Sequence, residues 1–209
     1  MRKAIEKNAQ LLALFAVACT AVIGAVHLIT KDRIKSQEEN KLITTLSQII
    51  DEKTYNNDIY HECIIINDQL LSSGTEKVYL AKNNDQPVAA AITTTAPDGY
   101  NGRINLIVAL KVDGSVSGVR TIKHQETPGL GDKIEIKKNK WIETFNGKKI
   151  LHVKDTRWAV RKDGGIFDQF TGATITPRAV VKAVHKTVLY FNSHQDELFQ
   201  KRPNCQEQS

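Results

Sequence analysis

Three hydroxyl residues crowd one short segment, Asp168-Gln169-Phe170-Thr171-Gly172-Ala173-Thr174-Ile175-Thr176-Pro177. A proline in a first helical turn suits a helix start, and Thr176 is the expected cap, with Gly172 shaping the approach. Capping accounts for one hydroxyl and leaves the others, set among small neighbours, without a task. A phosphate placed here would meet helix-start amides and the positive end of the helix dipole.

Two glycine-bearing loops precede this segment. Pro97-Asp98-Gly99-Tyr100-Asn101-Gly102 is at minimum a hairpin connection. Its functional reading is a loop whose small residues admit a ligand, with Tyr100 supplying an aromatic face. In Glu126-Thr127-Pro128-Gly129-Leu130-Gly131 the glycines allow positive φ and close backbone approach. Exposed amides in such a turn form an anion-holding nest. The third glycine and the βαβ setting of a dinucleotide fingerprint are missing. His124 and Glu126 admit a metal or acid–base reading; a solvated pair at a strand end is the expectation.

The elements that must position these loops follow from periodicity. Short, β-branched-rich runs at Cys63–Ile66, Val78–Ala81, Val88–Thr95, Ile104–Lys111 and Val116–Ile122 predict strands. Asp113-Gly114 marks a hairpin between the last two. Lys140–Phe145 predicts a short helix stopped at Gly147, and Thr156–Val160 a further strand. Val180, Val181, Val184, Val188, Leu189 and Phe191 set a closing helix over Pro177–Phe191. Strands gathered before a final helix predict an α+β fold, with a mostly antiparallel sheet and flanking helices. The polar tail from Lys201 is expected to fray.

Ala9–Thr30 is a run of about 22 residues without formal charge, long enough as a helix to cross a hydrocarbon core of roughly 30 Å. Its length exceeds a signal-peptide core, and no Ala-x-Ala site closes it, so a retained anchor is preferred over a cleaved signal or a lipoprotein at Cys19. Ile34–Ile50 has amphipathic helical spacing, and Asp51–Asp58 is polar and turn-like. The expected layout is a tail over 1–8, a membrane helix over 9–30, a helical linker over 31–58, a domain over 59–200 and a flexible tail over 201–209. Basic residues before and after the span are nearly balanced, leaving orientation open. The formal charge of +6 derives partly from Arg2, Lys3, Lys7, Lys31, Arg33 and Lys35 beside the span, so no nucleic-acid partner is expected. Three cysteines form no CxxC pair and no cluster with metal-ligand spacing. Cys63 and Cys205 are the candidates for an outer disulfide; the sequence leaves a bridge and free thiols both open.

The Asp168-to-Thr174 segment resembles the flavinylation motif of FMN-binding domains, in which an acidic residue precedes Ser/Thr-Gly-Ala-Thr. The Gly-Tyr-x-Gly turn and Glu-Thr-Pro-Gly-Leu-Gly are similar to that family in the same order. With an N-terminal anchor ahead, the combination resembles the G subunit of Rnf/Rsx ion-translocating oxidoreductases. The C subunit of sodium-pumping NADH:quinone oxidoreductases shares the domain on a longer chain and is the alternative, with a membrane-anchored assembly module lacking flavin as a further one.

The resemblance implies covalent FMN on Thr174 through a phosphoester, with Asp168 as the motif's acid, Thr171 in its Ser/Thr position, and Gly172 and Ala173 giving clearance. Because a threonine hydroxyl is a weak nucleophile, it also implies a separate flavin transferase using FAD and Mg²⁺. Thr174 is then a modification site, not a catalytic one, and no metal is bound by this chain. Tyr100 or Trp141 is expected near the flavin ring, and Glu126, Thr127, Gly129 and Leu130 near its polar edge. Further implications are partner Rnf/Rsx subunits, a bacterial inner-membrane location, a cytoplasmic N-terminus and a periplasmic flavin domain. The complex would couple ferredoxin and nicotinamide pools to ion movement, or keep an iron–sulfur sensor reduced. His27, the one ionisable group of the span, is read as interfacial.

Overall fold

A computed structural model describes residues 2–205, with side chains from Ile5 onward. The chain divides into two units, residues 1–44 and 45–209. The described residues of the first, 2–44, are all helical and belong to helix α1, Arg2–Ile49. The expected membrane helix and amphipathic linker helix are thus one continuous element. No proline interrupts Lys31–Ile49, which is rich in good helix formers. The apolar stretch of α1 stands fully exposed and is long and apolar enough to cross a membrane.

The second unit is built on five strands, β1 (Cys63–Asn67), β2 (Thr75–Asn83), β3 (Gln86–Gly99), β4 (Gly102–Lys111) and β5 (Val116–Lys123). They pair antiparallel in sequence order. Local chemistry sets each reversal. Asn84 and Asp85 both take positive φ, joining β2 to β3 by the two-residue turn whose twist suits a hairpin. Asp113 accepts from Ser115 N and Oγ, and Gly114 takes φ +80°, as the Asp-Gly pair predicts. Gly99 pairs with Gly102, leaving Tyr100-Asn101 at the tip between β3 and β4.

One sheet face carries Ala90, Ile92, Leu106, Val108 and Leu110 into the main core, which also holds Val180, Val184, Val188 and Phe191 of helix α2 (Ile175–Gln200). Ala89, Ala91, Ile107 and Ala109 alternate with these residues and are buried as well. The end of α1 contributes to that burial: Leu46, Ile49 and Ile50 are buried, and Ser117 Oγ donates to Ile49 O at 2.6 Å. A Cβ on Gly118 would come within 2.8 Å of Ile49. A sheet covered on both faces explains why β3 and β4 read as apolar runs without clean alternation. The α+β class is as expected.

Three expectations are corrected. Thr156–Val160 is not a strand; only Val160 makes a bridge, to Phe167. The surrounding segment is turns and short 3-10 helices, including Lys140–Phe145, built around the aromatic cluster of Trp141, Phe145, Trp158, Phe167 and Phe170. Helix α2 starts earlier and runs nine residues beyond Phe191. The tail, expected to fray from Lys201, is tied to edge strand β1 as far as residue 205. Cys63 and Cys205 are disulfide-bonded, Asn204 N donates to Cys63 O at 3.0 Å, and Ile65 N donates to Asn204 Oδ1 at 2.7 Å. Residues 206–209 lie outside the described residues.

Candidate functional site

The β3–β4 tip, the loop after β5 and the approach to α2 converge on a cleft of about 400 Å³. The turn Phe170–Ala173 closes by Ala173 N donating to Phe170 O at 3.1 Å, with Gly172 at φ +81°. That left-handed residue swings the chain into α2 and brings Gly172, Ala173 and Thr174 to the cleft wall. Thr174 occupies the N-cap position of α2, yet its side chain makes no capping hydrogen bond. The hydroxyl at the helix mouth is therefore available for other chemistry.

Thr176, expected to cap the helix, does something else. It is fully buried, and its hydroxyl donates to Glu126 Oε2 in a short hydrogen bond. Glu126 Oε1 accepts from Asn101 N at 3.1 Å. One carboxylate thus joins all three segments that form the cleft. Gly99 and Gly131 make room for it: a Cβ on either would come within 2.8 Å of a Glu126 oxygen. Glu126 is 5% exposed, which corrects the expectation of a solvated side chain. His124 is half-buried, accepts from Glu126 N through Nδ1 at 3.1 Å, and pairs through Nε2 with Glu135 at 2.8 Å. That supports the loop. No cluster of metal-ligating side chains occurs among the described residues.

Gly129 takes φ +78° in a turn after Pro128, in which Leu130 N and Gly131 N both donate to Thr127 O at 3.1 Å. The expected nest is corrected accordingly, because those amides are spent inside the turn. Gly129 shapes the loop without lining the cleft, whereas Thr127 and Leu130 line it. Tyr100 lines it from the hairpin tip at 65% exposed. Trp141 does not: it is buried against Phe145 and Phe170, and its Nε1 donates to Asp168 O at 2.8 Å. Asp168 and Thr171 are exposed and outside the cleft lining, the Asp168 carboxylate pairing with Arg161 at 2.9 Å. Gly131, Ile175 and Thr176 complete the wall and were not singled out as ligand contacts from sequence. The Thr-x-Thr spacing across the helix start was the available signal for Thr176.

Residues 99–188 match the model of the FMN-binding domain, and residues 1–49 that of the RnfG N-terminal region. The chain is 50% identical over 210 residues to the G subunit of the ion-translocating oxidoreductase complex of Shewanella loihica, covering 100% of this chain and 99% of the relative. The chain belongs to the family of G subunits of ion-translocating oxidoreductase complexes. The same-named proteins of Vibrio atlanticus and Aliivibrio fischeri are 48% and 46% identical, each covering 99% of the relative and 98% or 99% of this chain. Membership at full length separates the G subunit from the longer C-subunit alternative. The matched FMN-binding region contains the cleft residues from Tyr100 to Thr176.

The residues present in the cleft fit FMN. Its wall offers Tyr100, Leu130 and Ile175 as apolar surface, each substantially exposed. Its uncommitted hydroxyl stands at a helix start, where the dipole favours a phosphate. No lysine or arginine lines it among the described residues, so charge compensation would come from backbone and helix.

Proposed function

We propose that this chain carries FMN in phosphoester linkage to Thr174 Oγ1 and serves as an electron carrier within an ion-translocating oxidoreductase complex. The supporting observation is the Thr174 hydroxyl, placed at the mouth of the cleft and at the N-cap position without a capping bond. In maturation, Thr174 Oγ1 forms a bond to the FMN-side phosphorus of FAD. The pyrophosphate P–O bond breaks, AMP leaves, and the hydroxyl proton is lost. A separate transferase supplies activation, since a threonine hydroxyl is a weak nucleophile on its own. Asp168, exposed beside the motif, is a contact for that transferase.

When bound, FMN supplies the one- and two-electron redox chemistry. Tyr100, Leu130 and Ile175 line the cleft and would limit water around the flavin. Glu126 holds the three cleft segments in register through Thr176 and Asn101. The helix start stabilises the phosphate's charge. A covalent link keeps the carrier loaded through repeated turnovers.

The anchor is the exposed apolar stretch of α1, with the N-terminus cytoplasmic and the domain in the periplasm of a bacterial inner membrane. The Cys63–Cys205 bridge supports that side, because disulfides persist in oxidising compartments. The expected domain limits, 59–200, enclose the whole cleft. The test is a denatured gel of protein from cells containing the transferase. The wild-type band fluoresces under ultraviolet light, Thr174→Ala is dark, and a dark wild-type band with confirmed transferase activity defeats the proposal.

A further inference from the structure

A second constructed feature lies at Gly147–Arg157. The loop begins tied to β5: Val116 N donates to Lys148 O at 2.9 Å, and Gly147 N donates to Val116 O at 2.8 Å. Ile150 is buried. The loop ends on Asp155, whose side chain is 1% exposed. Asp155 Oδ2 accepts from Leu151 N at 3.2 Å and from Arg157 Nη2 at 2.7 Å. Oδ1 accepts from Arg157 N at 3.2 Å and Arg157 Nε at 2.9 Å, and Asp155 N donates to His152 O at 3.0 Å. The Arg157 guanidinium holds the Asp155 carboxyl well below the usual carboxylate range. A buried carboxylate is costly unless fully bonded, and this one is bonded to backbone on both sides of itself. The outcome is a pinned tip.

That tip displays Leu151 at 69% exposed and Val153 at 75%. Lys148, Lys149 and Lys154 are exposed around it. None of the three makes an ion pair within 4.0 Å among the described residues. Lys149 lies close enough to Asp113 only to help lower its carboxyl. Apolar residues at the centre of a charged rim, on a rigid support, have the anatomy of an interface.

We propose that the Lys148–Lys154 loop docks this chain onto another protein subunit of the complex, Leu151 and Val153 entering an apolar socket rimmed by carboxylates. The partner's acidity follows from the three unpaired ammonium groups, and its class from membership of a multisubunit family. A lipid surface fits less well, because the tip has no Trp, Tyr or Phe, the side chains that favour the headgroup region. The inference rests on family membership and not on flavin attachment.

The test places a photo-cross-linking residue at position 151 of the full-length chain in its native membrane complex, and identifies the product by mass spectrometry. Cross-linking to an acidic segment of another subunit is expected. Leu151→Ser with Val153→Ser should weaken retention in the purified complex on the order of a hundredfold. Lys148→Glu, Lys149→Glu and Lys154→Glu together should also weaken it and reverse its salt dependence. Adducts confined to lipid or to a second copy of this chain, or unchanged retention of both variants, would overturn the proposal. Tryptophan and flavin fluorescence report fold and loading separately, so a dark but cross-linked chain would count against the flavin and not against the docking.

Discussion

Replacing Glu126 by alanine removes the one group that bonds to both the β3–β4 tip and the start of α2. Two interactions are lost: the short bond from the Thr176 hydroxyl and the 3.1 Å bond from Asn101 N. Thr176 is fully buried, so its hydroxyl is left without water or a partner. Hydrogen bonds to a charged group are worth about 1.5–3 kcal/mol each, and a stranded buried donor costs a similar amount. The variant should therefore lose about 3–6 kcal/mol from the two bonds, a large share of the stability of an ordinary domain. Thr176→Val keeps the shape, removes one bond and should cost about 1.5–3 kcal/mol. In a double-mutant cycle, Glu126→Ala and Thr176→Val should couple by about 1.5 kcal/mol or more, since they share that bond. Urea unfolding of the full chain in detergent provides the assay. Trp141 and Trp158, the only tryptophans, are both buried in the second unit and report on it directly. Strict additivity would refute the reasoning, because it would mean that the carboxylate and the hydroxyl do not share the bond that organises the cleft.

Other perturbations give separate readouts. Gly131→Ala should diminish flavin attachment in the gel assay, since its Cβ would press on Glu126 and Thr176 at 2.8–2.9 Å. Thr174→Ser, which keeps a hydroxyl at the proposed acceptor position, should retain fluorescence where Thr174→Ala does not. Reducing the Cys63–Cys205 bridge should lower stability by up to about 5 kcal/mol on the loop-entropy estimate, given its separation of 142 residues, measured as a shift in urea midpoint with and without reductant. Burial holds the His185 imidazole below its ordinary value. The unfolded chain then binds a proton that the folded chain refuses, so stability falls as pH drops through about 6.5 and below. His185→Leu should flatten that slope, and an unchanged slope in pH-dependent unfolding would assign it elsewhere.

Much of the architecture was legible because it is local. The apolar runs, the Asp113-Gly114 turn and the proline near the start of α2 are short-range signals, and the strands stand close to where those signals put them. The helix start after Thr174 was legible too, from Pro177 in its first turn and Gly172 in the approach. What the sequence hid depends on distant partners. Glu126 became buried because Thr176, 50 positions away, and Asn101 supply its donors. Thr176 lost its capping role for the same reason. The β-like composition of Thr156–Val160 found no neighbouring strand, and its backbone was taken up by turns around Asp155 and Phe167. The tail looked polar and loose, but Asn204 and Cys205 have specific partners on β1.

The bridge between the first strand and the segment after α2 also imposes an order of events. Sulfur chemistry at Cys63 has to wait until all five strands and the long terminal helix have been synthesised, since its partner follows them. Cys19, in the apolar stretch of α1, is the only other thiol. A partly made chain therefore cannot be locked early by its proper mate, and the bridge can close only once every strand of the sheet is present in the chain.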